Sequence, residues 1–268
     1  MGIDFIILYI IVFIFGAVFG SFACCQAWRI HESKKGRKLG SRSVCMHCNH
    51  RLAWYDNIPV ISWLSLRGKC RYCKEKIGCA EILAELSLGL AFVGVVAKYS
   101  YIFPTVTDFL SADFITVILH MTIFLIALIP FWITLIYDAK WGELPVFLMI
   151  IEIAIAIIFQ LTNSRPEWFQ VFISAGLLSG LYYLLYFFSK EKLVGGGDWI
   201  LCISIGIFLG RWVFIIIELF FSNLAASIAG IPQIIKKDKK PIPFGPFLIG
   251  AMLLIILISD YISRFLMI

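Results

Sequence analysis

Charged residues are scarce in this chain. Only 15% of its 268 residues are Asp, Glu, Lys or Arg, and 61% are hydrophobic. A soluble domain has about a quarter of charged residues and about half of apolar ones, so the composition excludes an ordinary soluble domain. The sequence also lacks low-complexity segments and any repeat at a fixed period. We therefore expect a polytopic membrane protein in which apolar helices are joined by short loops.

A second absence concerns the N-terminus. Met1 to Asp4 contain an acid and no Lys or Arg, and no A-x-A site follows the first apolar run. A secretory signal peptide has a basic start and such a cleavage site. The first run is therefore interpreted as a retained membrane span.

Six near-continuous apolar runs approach or reach the length of about 17 to 25 residues that crosses a bilayer. A seventh run, 199–230, is too long for one crossing and is interrupted at Gly210 and Arg211, so we interpret it as two short spans. The predicted fold is an all-α polytopic membrane protein of about eight transmembrane helices. The six runs are 4–27, 82–103, 114–136, 144–161, 169–188 and 247–267.

The distribution of Lys and Arg tests that count, because cytoplasmic loops of membrane proteins carry an excess of both. With eight spans and Met1 outside, 19 of the 23 basic residues lie inside and 4 outside. A single span over 199–230 would give 15 and 8. The eight-span topology is therefore preferred, and the net charge of +6 reflects its inside face. The lipid bilayer is the expected partner of these charges, and nucleic acid is not.

Five of the eight cysteines lie in residues 29–80, the only polar stretch long enough to form a separate unit. Cys45, Cys48, Cys70 and Cys73 form two C-x2-C pairs with 21 residues between them. Four thiolates close a tetrahedral site, so the spacing predicts structural Zn²⁺ in a small cytosolic zinc-ribbon-like loop domain. Two disulfides or four free thiols are the alternatives, and a reducing cytoplasm disfavours the disulfides.

Two acids stand at the inside ends of predicted spans, where an ionisable group is expected to be functional. Asp138 ends the third span and Asp198 begins the sixth, so both lie on the same face of the membrane. Two neighbouring carboxylates share one proton and can activate a water for attack on a peptide carbonyl. Gly195, Gly196 and Gly197 precede Asp198 and let the backbone bend and approach a substrate.

The alternative interpretation is that each Asp is an interfacial helix cap and that the glycines form a simple loop. Glu143 lies close to Asp138 in sequence and is easily mistaken for the catalytic acid. Glu81 and Glu85 begin the second span on the inside and are candidates for a supporting role.

The motifs resemble those of the type IV prepilin peptidases, the leader peptidases of bacterial pilin-like proteins. The similarity covers nearly the whole chain, which makes it more specific than any one motif. One departure is Cys24, which stands where the family's first motif, commonly GSFLN, has an asparagine. The matching segments are GSF at 20–22, the four-cysteine loop with WYDNIPVISWLSLRGKCRYC, AEL, YDAKWGELP, GGGDW and PFGPFL.

The resemblance implies a polytopic aspartyl endopeptidase of the GxGD kind, with Asp138 and Asp198 as its catalytic pair. Such enzymes cut the basic leader of prepilins after a glycine, on the cytoplasmic side of the bacterial inner membrane. Many relatives with the cysteine loop also methylate the new N-terminus. The resemblance therefore implies S-adenosylmethionine as a cofactor beside Zn²⁺.

The predicted division of the chain is a first helix at 1–28, the zinc-binding loop domain at 29–80 and a seven-helix catalytic domain at 81–268. Two other functions remain open. A proton-coupled transporter would depend on acids deep in the spans, such as Glu152 or Glu218. A non-catalytic scaffold would dock a partner through the zinc loop and would tolerate the loss of both aspartates.

Overall fold

The computed structural model describes residues 3–37, 40, 42–100, 112–163, 166–190, 194–235 and 242–266. This part of the chain is helical, with a 3₁₀ turn at Trp54–Asn57 and two isolated β-bridges but no strand. The basic run 236–240, which enters the charge count, lies outside the described residues. The helices are α1 (Ile3–Lys34), α2 (Ile61–Ser65), α3 (Ala80–Ser100), α4 (Ala112–Trp141), α5 (Val146–Leu161), α6 (Trp168–Ser189), α7 (Asp198–Leu209), α8 (Trp212–Ile235) and α9 (Gly245–Leu266).

Eight of these helices are apolar, and six of them, α1, α3, α4, α6, α8 and α9, are long enough to cross a membrane. The other two, α5 and α7, have 16 and 12 residues, fewer than the about 20 that span the hydrocarbon core. The prediction of an all-α protein with about eight apolar helices is confirmed, with two short members. The predicted interruption is confirmed as well, because α7 ends at Gly210 with a φ of 66°, a conformation that favours glycine.

The chain forms two compact units, residues 1–100 and 101–268. In the first unit α1 packs along α3 at points where both helices carry small residues. A Cβ on Gly16 would lie 2.8 Å from Cα of Gly89, and one on Gly20 would lie 2.6 Å from the carbonyl oxygen of Ala84. Small residues four apart let two membrane helices approach closely. The division at 1–28, 29–80 and 81–268 stays a prediction.

In the second unit α7 packs against α5, α6 and α9. Its contact with α6 is close, since a Cβ on Gly206 would lie 2.5 Å from Cα of Ala175. The segment before α9 is fixed by Phe244, whose ring centroid lies 5.6 Å from that of the buried Tyr182. This packing holds the end of α4, the start of α7 and the start of α9 in one compact unit, and each of the three carries a residue of the candidate site.

Candidate active site and metal centre

Asp138 lies in the last turn of α4 and is only 4% exposed. Its Oδ2 accepts a hydrogen bond of 2.8 Å from the backbone N–H of Gly245, the first residue of α9. The helix N-terminus supplies a free N–H group and a partial positive charge, both of which suit a carboxylate. Asp138 stands near the C-terminus of its own helix, and the N–H group that it accepts from belongs to the start of another helix, α9.

Asp198 is the first residue of α7 and is 5% exposed. Its Oδ2 accepts a hydrogen bond of 2.8 Å from the backbone N–H of Gly195, three residues earlier. An N-cap side chain would instead accept from the N–H groups of the following turn, and no such bond forms at the start of α7. The carboxylate therefore turns back onto the glycine segment that precedes it.

Both aspartates lie buried in the second unit, one at the end of α4 and one at the start of α7. Asp138 lies within the range over which the charge of Asp198 affects it. Among the residues that the structure describes, each carboxylate has one hydrogen bond from a glycine N–H, and both bonds use Oδ2. Neither of these bonds uses an Oδ1 atom.

The three predicted glycines are placed differently from one another. None of them has a positive φ, so glycine is not needed there for a left-handed backbone. The absence of a side chain instead lets neighbouring atoms approach the backbone closely. A Cβ on Gly197 would lie 2.7 Å from Cβ of Leu144, and one on Gly195 would lie 3.2 Å from Oδ2 of Asp198. Gly196 is less crowded, since its Cβ would lie 3.4 Å from the ring of Tyr186.

The other acids named from the sequence lie in different surroundings. Glu143 is exposed in the loop after α4, whereas Glu152 and Glu218 are fully buried in α5 and α8. Oε1 of Glu152 accepts a hydrogen bond of 2.6 Å from the hydroxyl of Thr134, one helical turn before Asp138.

The four cysteines of the loop form a cluster in the first unit. The sulfur atoms of Cys45, Cys48, Cys70 and Cys73 all lie within 4.8 Å of one another, and those of Cys45 and Cys73 are 3.9 Å apart. A tetrahedral site with metal–sulfur bonds of about 2.3 Å places its sulfurs about 3.8 Å apart. The described geometry therefore fits a four-thiolate metal centre.

The two C-x2-C turns repeat the same backbone pattern. In the first, the N–H of Asn49 donates to the carbonyl of Cys45, and in the second the N–H of Lys74 donates to that of Cys70. Asn49 and Lys74 both have a positive φ, at 54° and 60°. Hydrogen bonds, above all from the backbone of Cys73, lower the pKa of Cys70 to about 7, which favours its thiolate. A bond from the backbone of Glu75 lowers the pKa of Cys73, but desolvation and the neighbouring cysteines outweigh it and raise that pKa.

Asp56 forms hydrogen bonds to the second C-x2-C turn, which contains Arg71 and Tyr72. Its side chain is 3% exposed and accepts from Nε of Arg71 at 2.6 Å and from the hydroxyl of Tyr72 at 3.1 Å. The backbone N–H of Ala53 also donates to it. Burial raises the pKa of Asp56, but the bonds from Arg71, Ala53 and Tyr72 outweigh it and hold the pKa below its usual value. The carboxylate thus connects the 3₁₀ turn with the residues between Cys70 and Cys73.

Sequence reasoning did not assign two residues that shape the acid site. Both lie in segments that carry the family resemblance, Gly245 in PFGPFL and Leu144 in YDAKWGELP, but neither has a predicted role. The available signal for Gly245 was a glycine beside a proline at the start of an apolar span, the place where a helix presents free N–H groups. No local pattern identifies Leu144, because its role depends on the contact with Gly197.

Comparison with known proteins places these features in a family. Residues 14–99 match the model of the bacterial peptidase A24 N-terminal domain, and residues 123–235 match that of the type IV leader peptidase family. The first match contains the cysteine cluster, and the second contains both aspartates. No solved structure matches this chain.

Curated relatives cover most of the chain. One from Aeromonas hydrophila is 32% identical over 231 residues, which are 83% of this chain and 73% of the relative. One from Dichelobacter nodosus is 33% identical over 210 residues, covering 77% and 67% of the two chains. One from Myxococcus xanthus is 26% identical over 224 residues, covering 83% and 62%. All three are named prepilin leader peptidase/N-methyltransferase, and the chain belongs to the type IV leader peptidase family.

Proposed function

We propose that this protein is a membrane aspartyl endopeptidase that removes the leader of type IV prepilin-like proteins. The observation that carries the proposal is the pair Asp138 and Asp198, both buried in one unit and close enough to interact electrostatically. Burying an acid at the end of a membrane helix costs free energy, so its presence there indicates a function. The names of the relatives supply the substrate class.

The chemistry follows from the pairing. Two adjacent carboxylates do not readily ionise together, so the pair holds one proton. The ionised member takes a proton from a water bound between the Oδ1 atoms, and that water attacks the peptide carbonyl. The protonated member hydrogen-bonds to the carbonyl oxygen, and a proton then passes to the leaving amine. Gly195 and Gly245 hold the two Oδ2 atoms, which fixes the direction of both Oδ1 atoms.

Gly197 and Gly245 support this arrangement by leaving space. A side chain at either position would meet Leu144 or Asp138 within 3 Å. We propose Gly195, Gly196 and Gly197 as the backbone that lies beside the cleaved peptide, as the resemblance implies for the GxGD motif.

We propose cleavage after a glycine on the cytoplasmic side of the bacterial inner membrane. Cleavage after a glycine is implied by the family resemblance. The cytoplasmic side is supported by the charge distribution, since in the eight-span topology the loops next to both aspartates lie on the side with most Lys and Arg. The cysteine loop lies on the same side in this topology.

The second proposed activity is N-methylation of the new N-terminus, supported by the names of the relatives. S-adenosylmethionine would supply the methyl group. We assign none of the described residues to its binding, and no step is derived through it. For the cysteine cluster we propose Zn²⁺, because four thiolates with this spacing form a closed structural site, and the metal would hold the loop fold.

The deciding experiment is cleavage of a prepilin by the purified protein in detergent, with product masses as the readout. We expect the wild type to release the leader and the variants Asp138→Asn and Asp198→Asn to be inactive while retaining their thermal unfolding transition. Glu143→Gln is the matched control, because Glu143 is an exposed acid five residues from Asp138, and it should cleave normally.

Cleavage at the wild-type rate by either Asn variant would contradict the paired-acid mechanism. Normal function of both Asn variants with loss in cysteine variants would favour the scaffold. A product heavier by one methyl group, formed only when S-adenosylmethionine is present, would establish the second activity.

A further inference from the structure

The zinc loop is attached to the membrane helices of its own unit at a defined point. The backbone N–H of Val60, the residue before α2, donates a hydrogen bond of 2.7 Å to Oε2 of Glu85 in α3. Glu85 is 7% exposed. One buried carboxylate thus connects the start of α2 with the span α3.

The backbone at Val60 indicates that this attachment is specific. Its φ of 63° and ψ of −51°, with the N–H of Ile61 bonded to the carbonyl of Pro59 at 2.6 Å, define a γ-turn of the rare, strained kind. A β-branched residue is unfavourable in that conformation. Such strain persists where the surrounding structure over-determines the backbone, and the bond to Glu85 is part of that surrounding.

The attachment fixes the depth of α2. Helix α3 has 21 residues, so at about 1.5 Å per residue it is about as long as the hydrocarbon core of a bilayer is thick, about 30 Å. Glu85 lies five residues inside its start at Ala80. A group bonded to Glu85 therefore lies at or within the edge of the hydrocarbon core and not in bulk water.

The side chains that follow Val60 are apolar and exposed. Ile61 is 65% exposed and Leu64 is 57% exposed, and their spacing of three residues places them on one face of α2. At a similar level along the spans, Phe22 in α1 and Leu83 in α3 are exposed as well. Apolar side chains are thus exposed both on α2 and on the spans near Glu85.

The charge of the loop suits the same surroundings. Residues 29–80 contain 12 Lys and Arg against three Asp and Glu. Arg67 and Lys69, directly after α2, are both exposed. Basic residues next to apolar ones are typical of segments that lie in the headgroup layer of an anionic membrane.

We propose that α2 lies in the headgroup layer of the membrane that α1 and α3 cross, with Ile61 and Leu64 at the acyl boundary and Arg67 and Lys69 on anionic headgroups. The loop is then held at the bilayer surface by Glu85 and by this contact. The inference does not depend on the peptidase activity, so its test is separate from that of the proposed function.

The experiment uses the full-length protein in lipid nanodiscs. A ketone-bearing noncanonical amino acid is introduced at Ile61, Leu64 or Met46 and coupled to a nitroxide, which avoids the cysteines. Met46 is the control, because it is exposed and apolar but lies in the first C-x2-C turn. Power-saturation EPR then compares collisions with oxygen, which concentrates in lipid, and with a water-soluble nickel chelate.

We expect labels at 61 and 64 to favour oxygen and the label at 46 to favour the nickel chelate. Equal access of the chelate to all three positions, or lipid-like access at all three, would overturn the proposal. Labels at 61 and 64 that become shielded only when a prepilin is added would overturn it in favour of a protein partner.

Lipid composition and charge give a second measurement. In nanodiscs with anionic lipid the labels should report deeper positions than in purely zwitterionic ones, and Arg67→Gln with Lys69→Gln should remove that difference. Glu85→Ala should shift the label at 64 toward water, whereas Glu81→Ala should not. The label at 46 should stay unchanged in every variant, and a label depth indifferent to Glu85→Ala would contradict the attachment.

Discussion

The backbone N–H of Gly245 donates to Oδ2 of Asp138 at 2.8 Å, although 107 residues separate the two in sequence. The contact joins the end of α4 to the start of α9. It orients one carboxylate of the proposed catalytic pair from a helix terminus, without a second side chain. A main-chain donor at that place is fixed by the fold and does not titrate.

Gly245→Ala tests this contact. The N–H group remains, but the new Cβ would lie 2.8 Å from Oδ2 of Asp138, so the carboxylate has to move. We expect a loss of cleavage rate of about 10²-fold, the effect of about 1 Å of misplacement at a reacting centre. Gly250→Ala lies about one and a half turns along the same helix, where a Cβ would meet no atom within 4 Å beyond the neighbouring backbone of that helix, and it should cleave normally. Equal rates for both variants would contradict the orienting role.

Gly197 gives a second test, in which a compensating change is available. A Cβ on Gly197 would lie 2.7 Å from Cβ and 3.0 Å from Cδ1 of Leu144. Gly197→Ala should therefore lower the cleavage rate by about 10- to 100-fold by displacing the segment before Asp198. Removing the neighbouring Cβ in the double variant Gly197→Ala with Leu144→Gly should restore part of the rate. Gly196→Ala, whose Cβ meets only the ring of Tyr186 at 3.4 Å, should lower the cleavage rate less. A double variant that cleaves no faster than Gly197→Ala would show that the contact with Leu144 does not cause the loss.

Local patterns predicted much of this molecule. Apolar runs marked the helices, and the pair Gly210 and Arg211 marked the break between α7 and α8 because a glycine with positive φ ends a helix. The spacing of the four cysteines predicted one cluster, since two C-x2-C turns form nearly identical knuckles. Each of these signals is carried by residues close together in sequence.

Contacts between distant segments were not predictable in this way. The bond from Gly245 to Asp138 and the approach of Gly197 to Leu144 depend on how α4, α7 and α9 pack, and no single segment encodes that packing. The strained γ-turn at Val60 is a similar case. A proline followed by valine favours an extended backbone. Val60 instead adopts a positive φ, and its N–H is bonded to Glu85 in another helix.

Removal of the metal is expected to unfold the cysteine loop while the helices remain. A short polar segment has too small a core to be stable alone, so metal binding supplies its folding free energy. Cys70→Ser should reduce bound zinc, measured by atomic emission, from one per chain toward zero and expose the loop to proteolysis. Cys79→Ser is the control, because Cys79 is an exposed free cysteine outside the cluster. Full zinc content in Cys70→Ser would contradict the four-thiolate site.

Asp56→Asn should accelerate zinc release to a chelator by roughly tenfold, because partners that orient the ligand-bearing segment typically contribute about that much to affinity. The pKa of Asp56 is held below its usual value. A lowered pKa means that the stabilisation is fully present above the unfolded value of about 4 and is lost as the pH falls through the folded pKa. The ratio of release rates between variant and wild type should therefore be constant from about pH 6 to pH 8. A ratio that changes across this range would show that another group titrates.

Glu152 is a deep acid of the kind on which a proton-coupled transporter would depend, so its substitution tests whether peptide cleavage needs it. It is fully buried, and its Oε1 accepts the hydroxyl of Thr134 at 2.6 Å. Glu152→Gln keeps a carbonyl acceptor there, so we expect cleavage within roughly fivefold of the wild type, equivalent to about 1 kcal/mol. Glu152→Leu leaves the Thr134 hydroxyl without its acceptor and should lower the free energy of unfolding by about 1 to 3 kcal/mol. The measurements are prepilin cleavage and thermal unfolding of the same detergent samples. A folded Glu152→Gln variant with no cleavage would show that cleavage depends on a deep acid and would contradict a mechanism carried by Asp138 and Asp198 alone.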